Sequence, residues 1–475
     1  MRAAALLLFA LACGCGSSGS KPGQAASGGN AGDSAQPALG GSNYAGSAGQ
    51  ADASDAGARG DTDHGGSAGQ TGDDSTADEA GAGATNCDPT TAPLDTAPRV
   101  RDLELERIAF FQAVKVPLME QMLEVTDRRA QVVSRRAGLL RVYVTPSPTW
   151  LGRTVRARLT IAPDGAAVSA QTFDQTQLVL AESSDAALPS TFNFDVPAEL
   201  LAEDAAYSVE LFETDPCATF AEPSTNARFP SAGLEPLRVY PSSKLGVKVV
   251  PIAFDLGQST LLPDTSAAQL EQLRARVQSL FPISGIELSV RDTPLHTSSS
   301  NLSALLDQVA ALRAGENSDP NLTYFGLFRF TDRIEQYCNP SCVLGASVTG
   351  TTPTGGVGVG VGYAADQAAT TFAHELGHVY GRPHSPCGVV GDPSFPYSGG
   401  RIGSWGYDPT TKKLIDPNAY TDFMGYCSPI WVSDFTFEHL REFIAAMAQP
   451  TAANVAFSAP IFDRAPSLPI TAPSH

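Results

Sequence analysis

The segment from Thr370 to His384 constrains this chain more than any other, because three of its seven histidines fall there in a fixed pattern. It reads Thr370-Thr371-Phe372-Ala373-His374-Glu375-Leu376-Gly377-His378-Val379-Tyr380-Gly381-Arg382-Pro383-His384. His374 and His378 stand four apart, a spacing that stacks both imidazoles on one face of a helix. Glu375 lies beside them, placed to reach a water and not the ion that the imidazoles would share. Phe372, Leu376 and Val379 fall on the other side, where they can enter a core. A third ligand six residues after the second cannot share that face if the helix simply continues. Gly381 removes the difficulty, since glycine takes the left-handed conformation that ends a helix and turns the chain back. His384 thereby returns toward the first two, with Pro383 stiffening the approach. Three neutral imidazoles leave a zinc ion its double charge and an open coordination position, which lowers the pKa of bound water to about 7. The competing reading, histidines satisfied in a core or on a helix surface, leaves Glu375 and Gly381 at these positions without a reason.

This pattern resembles the signature of the metzincins, HExxHxxGxxH followed by a methionine turn, and matches it at His374, Glu375, His378, Gly381 and His384. Forty residues after His384 comes Asp422-Phe423-Met424-Gly425-Tyr426-Cys427, which looks like that turn. The resemblance covers about 245 to 457 and implies one catalytic Zn2+ on the three histidines. It further implies Glu375 as general base and Met424 as a hydrophobic floor beneath the ion. Tyr426 stands where, in the astacin and serralysin branches, a tyrosine approaches the metal and stabilises the tetrahedral intermediate. Ser385, directly after the third histidine, is instead the matrixin residue, so single positions point to different branches. The stretch 424–434 is also similar to bacterial secreted metzincins that attack mucin-type glycoproteins. Calcium is common in the family, but the sequence offers no DxDxDG-type loop for it. No cysteine switch precedes the block. Members of the family bind peptide along an edge strand, and Val343 to Thr349 and Gly356 to Val361 both read as short strands. A substrate adding antiparallel to the first would bind through main-chain hydrogen bonds. The glycine alternation from Gly355 to Gly362 fits tight packing equally well.

Composition divides the rest. Arg2 and the apolar run Ala3 to Ala12 read as an export signal, assigned to residues 1–16 and too short for a permanent span. It looks like a bacterial lipoprotein signal with Cys13 as the acylated residue; an ordinary cleaved signal peptide is the alternative. Residues 17–86 are almost wholly Gly, Ala, Ser, Asp, Gln and Thr with one aromatic, Tyr44, too little apolar surface to offset the entropy of ordering. They read as a disordered stalk. Residues 87–243 carry short alternating β-branched and aromatic runs: Leu139 to Val144, Val155 to Ile161, Thr191 to Val196, and Tyr207 to Phe212. They are expected to form an all-β sandwich. Residues 244–457 mix strands (Val247 to Phe254, Ile286 to Val290, Leu322 to Phe330) with helical stretches at 264–281, 302–312 and 437–447. Asp264 is placed to cap the first of these helices. The expected fold is therefore an α+β metzincin-like catalytic domain, a twisted mixed sheet plus helices, preceded by the sandwich and followed by a tail, 458–475.

Apart from Cys13 and Cys15, six cysteines remain, an even number that favours disulfides in an exported protein. By the resemblance, the segments after His384 and Met424 meet beneath the ion, which pairs Cys387 with Cys427. Cys338 with Cys342 and Cys87 with Cys217 complete one scheme of fifteen; a zinc-thiolate site competes with it. The net charge of -19 argues against a nucleic-acid partner, because phosphate would be repelled. The expected function is a zinc-dependent endopeptidase acting on extracellular proteins or glycoproteins, touching a membrane only through a lipid anchor. Its expected place is the outer membrane, the cell surface or the secreted fraction, with oligomeric state open. A non-catalytic surface lipoprotein that uses the zinc domain and sandwich as a binding module is the alternative. Hydrolysis of another amide is a third reading.

Overall fold

Strand-forming runs dominate residues 94–243. A computed structural model describes residues 94–218, 222–316, 319–364 and 366–448, and the backbone of 460–464. The leader with Cys13, the stalk, Cys87 and the remainder of the tail lie outside the described residues. Numbering the longer elements in chain order, the first block contains β1 (Leu103–Glu120), β2 (Gly138–Pro146), β3 (Arg153–Ala162), β4 (Gln171–Val179), β5 (Phe192–Val196) and β6 (Ala206–Glu213). The second contains β7 (Lys244–Asp255), α1 (Ala267–Leu280), β8 (Gly285–Val290), α2 (Leu302–Gly315), β9 (Thr323–Phe328), β10 (Val343–Val348) and β11 (Val357–Val361). It continues with α3 (Asp366–Val379), β12 (Gly406–Asp408), β13 (Lys413–Ile415), α4 (Asp434–Met447) and β14 (Pro460–Arg464).

Two antiparallel sheets carry the first block. One runs β13-β12-β1-β2-β5, and the other contains β6-β3-β4. Ile108, Phe110 and Val142 of the first sheet share a core with Val155, Leu159 and Leu211 of the second. Position 243 is not a clean seam. β12 and β13 come from beyond the active-site helix yet extend the first sheet, with Ala113 opposite Tyr407 and Val114 opposite Gly406. The Trp431 indole N–H donates to the Ala113 carbonyl at 2.9 Å. All described residues belong to one compact unit.

The second block is built on a mixed sheet in the order β8-β7-β9-β11-β10-β14. β8, β7, β9 and β11 run parallel to their neighbours, whereas β10 is antiparallel to β11. Parallel strands need crossovers, supplied here by α1 and α2, and their covered faces explain the nearly uninterrupted apolar runs. α3 packs on one face, where the Phe372 ring meets Phe325 at 4.6 Å between centroids. α2 covers the other through Leu305 and Val309. Ser266, not Asp264, caps α1, accepting from the Gln269 N–H; the Asp264 carboxylate instead accepts from the Ser266 N–H at 2.8 Å. Cβ atoms at Gly358 and Gly360 would lie 3.0 and 3.1 Å from the Phe325 ring, and β11 is interior, so this alternation serves packing. The edge of β10 turned away from β11 is covered by β14, running antiparallel. Among the described residues no helix is long and apolar enough to cross a membrane.

Candidate metal centre

α3 ends as its sequence requires. Gly381 has φ +83°, its N–H donates to the His378 carbonyl, and the Arg382 N–H reaches back to Gly377, each at 2.9 Å. This paired closure satisfies two carbonyls that a helix end would leave unmatched. It reverses the chain so that His384 comes back over the helix.

The three histidines consequently meet. Their nearest ring nitrogens lie within 4.8 Å of one another, and Nε2 of His378 is 3.2 Å from Nε2 of His384. Imidazoles at about 2.0–2.1 Å around a tetrahedral ion stand about 3.3 Å apart, so this pair already has the required separation. Nδ1 of His374 contacts the Phe423 carbonyl at 2.7 Å, and Nδ1 of His378 the Arg382 carbonyl at 2.5 Å. A carbonyl can only accept, so both Nδ1 atoms carry the proton and both Nε2 lone pairs face inward. The donor set is compatible with a metal ion.

Glu375 is fully buried and turned toward β10. The Ser347 hydroxyl donates to its Oε2 at 2.6 Å. At Gly345 a Cβ would lie 2.3 Å from its Oε1, so only glycine leaves room for the carboxylate there. Met424 is buried, and a Cβ on Gly377 would stand 2.3 Å from its sulfur; the methionine lies against the helix between the two histidines. The Asp422 carboxylate holds this turn by accepting from the N–H groups of Met424 and Ser433, both at 2.9 Å. Tyr426 is half-buried with its ring 5.1 Å from that of His384.

The structure joins Cys387 to Cys427 and Cys338 to Cys342. Cys217 is also disulfide-bonded. The first bridge ties the loop after His384 to the methionine turn, and the Tyr426 N–H donates to the Cys387 carbonyl at 2.8 Å beside it. Behind His384, Arg382 meets Asp392 at 3.2 Å. Burial pulls the Arg382 guanidinium below its usual range. Burial opposes ionisation of Asp392, but the Ser394 hydroxyl and N–H, together with Arg382, outweigh it and hold the carboxyl below its usual range. The Asp392 N–H donates to the His384 carbonyl at 2.7 Å, so this pair anchors the third histidine's backbone.

A cleft of about 550 Å³ opens on the site, lined among others by Leu344, Thr371, His374, Glu375, Tyr426 and Ile430. It can hold an extended segment beside the Glu375 carboxylate and the His374 imidazole. Gly345, Ser347 and Asp422 escape the sequence reading. A glycine inside a strand was the one available signal, since it often marks close backbone approach.

The profile of the family described as Peptidase M66 matches residues 309–428. That stretch contains all three histidines, Glu375, Met424 and Tyr426, and the match supports a metallopeptidase, a hydrolase acting on protein. No curated protein matches the chain. A solved structure described as "Structure of a chaperone-substrate complex" is similar over 53% of this chain at 12% identity and a TM-score of 0.22. The match spans 39% of that structure's chain, and a likeness so low carries no argument.

Proposed function

We propose that the chain is an exported zinc-dependent endopeptidase that cleaves extracellular proteins or glycoproteins. In this reading the mixed sheet and α3 make a metzincin-like catalytic domain, the preceding strands form a sandwich, and Cys13 is a lipid anchor. The observation that carries it is the convergence of His374, His378 and His384, with His374 and Glu375 lining one cleft. Zinc is favoured because three neutral nitrogen donors suit it better than the oxygen-seeking calcium or magnesium.

Bound there, zinc supplies a Lewis acid and an acidified water. The chain's own groups do the rest. The Phe423 and Arg382 carbonyls fix the tautomers of two histidines. Glu375, oriented by Ser347, takes a proton from the attacking water and passes it to the leaving amine. The Tyr426 hydroxyl donates to the oxyanion as the carbonyl carbon becomes tetrahedral. Leu344 and Ile430 give the cleft apolar walls that exclude bulk water around the scissile bond.

The test is zinc content and cleavage of unfolded protein and of glycoprotein, measured on the chain beside Glu375→Ala. The variant is expected to retain one zinc per chain and lose about 10²–10⁴-fold in kcat/KM. Equal activity in both would reject Glu375 as the base. Zinc binding with no cleavage by either would leave a binding module.

A further inference from the structure

We propose that residues 460–464 act as an internal competitor for the substrate-binding edge of β10, so that the chain restrains its own cleavage activity until this strand is released. The inference rests on the endopeptidase reading and adds its regulation. A strand has two hydrogen-bonding edges. β11 takes one edge of β10 and β14 takes the other, pairing Gly345 with Asp463, Ala346 with Phe462 and Ser347 with Ile461. Gly345 and Ser347 of β10 both lie against Glu375, and Leu344 between Val343 and Gly345 lines the cleft. β11 is held between β10 and β9, so the edge that β14 covers is the one at which an incoming strand can join β10. An extended peptide that adds to β10 by main-chain hydrogen bonds must first displace β14.

The pairing is built to be reversible. It spans five residues, the first of which, Pro460, has no N–H to donate. No other strand pairs with β14 among the described residues. β14 follows α4 in the same chain, so its pairing with β10 is intramolecular. A substrate peptide must displace this strand to reach β10, and a pairing of only five residues yields to sufficient substrate, so the competition matters without being absolute. The expected signature is a raised KM and an unchanged kcat, because a displaced strand leaves the chemistry untouched.

The test compares the full chain with one ending at Ala448, using a fluorescent synthetic peptide of sequence 458–467 and a cleavable reporter peptide. The shortened chain is expected to bind the labelled peptide while the full chain does not, and to show a KM lowered at least tenfold at equal kcat. Addition of unlabelled 458–467 should restore the higher KM. A second variant keeps the full length: Phe462→Pro with Asp463→Pro. Successive N–H groups point to opposite edges of a strand, so this pair removes whichever one faces β10. It should reproduce the shortened chain, with the same circular dichroism as the parent. Binding of the peptide to both chains or to neither, or the same KM in all three, overturns the proposal. If neither chain cleaves the reporter but only the shortened one binds the peptide, the strap stands and the endopeptidase reading falls.

Discussion

The proposed acid-base group, Glu375, is defined as much by what touches it as by its place in the motif. Glu375 is enclosed by two residues of one strand, Ser347 through a hydrogen bond and Gly345 through the absence of a side chain. Gly345→Ala would place a methyl group 2.3 Å from Oε1 and 2.8 Å from the carboxyl carbon. The end of a glutamate side chain yields more readily than strand backbone, so the carboxylate moves and the sheet survives. A displacement of about 1 Å in a catalytic group can lower the rate about 10²-fold. The variant is expected to lose roughly 10- to 100-fold in kcat, retain its zinc, and melt within a few degrees of the parent. Full activity at a much lower melting temperature would show that the glycine serves packing alone. The motif residues themselves are legible in the sequence because their geometry is local: a helix spacing, a glycine stop and a proline. Gly345 and Ser347 are not, because what brings them to Glu375 is a long-range pairing of β10 with β11 over which α3 is laid.

At the level of elements, the end of α3 couples backbone conformation to the site. Gly381 sits at φ +83° and carries both the chain reversal and the approach of His384. A Cβ there would also lie 2.8 Å from the Phe443 ring on α4. Gly381→Ala therefore combines a left-handed strain of about 1–2 kcal/mol with a steric push on the turn. Thermal melting is expected to fall by roughly 1–4 °C, and zinc should dissociate more readily in a chelator competition. Unchanged zinc affinity would mean that His384 is positioned by the Cys387–Cys427 bridge and the Arg382–Asp392 pair without help from the helix end. The same contrast between local and long-range causes governs which elements are readable. The four short alternating strands and the helices of the second block show their period directly. β1 does not, since Ile108 to Val114 are all buried and no alternation survives. β4 runs Gln-Thr-Phe-Asp-Gln-Thr-Gln with no fully buried side chain before Val179, and only its pairing with β3 makes it a strand.

Over the whole molecule, contacts cross between the strand-rich block and the block that holds the site, and Arg136 is the clearest case. It lies just ahead of β2 and is wholly enclosed, yet its guanidinium donates to the carbonyls of Gln278, Ser279 and Ile283 at the end of α1, the closest at 2.6 Å. Burial draws its pKa down to about 10, so it remains a cation at neutral pH, placed where a helix C-terminus favours positive charge. Arg136→Met keeps the length and apolar stem but leaves the half-buried Gln278 and Ser279 carbonyls without this donor, while that of Ile283 keeps the Gln278 side chain. Hydrogen bonds from a charged group contribute about 1.5–3 kcal/mol each and buried orphans cost about as much, so a loss of roughly 2–4 kcal/mol in denaturant unfolding is expected. The shape of the transition carries the further information. Trp150 reports on the first block, and Trp431, bonded to Ala113, reports on the joint between the two. If the blocks unfold as one, fluorescence and loss of zinc will shift to lower denaturant together in the variant. If the seam at 243 is a true domain boundary, zinc release will keep its own midpoint while the Trp signals separate. The shared sheet of β1 with β12 and the bond from Gln131 to Glu438 of α4 favour the first outcome. In that case the strand-rich block is a structural support for the cleft, and mutations far from His374 lower activity by lowering the population of the folded site.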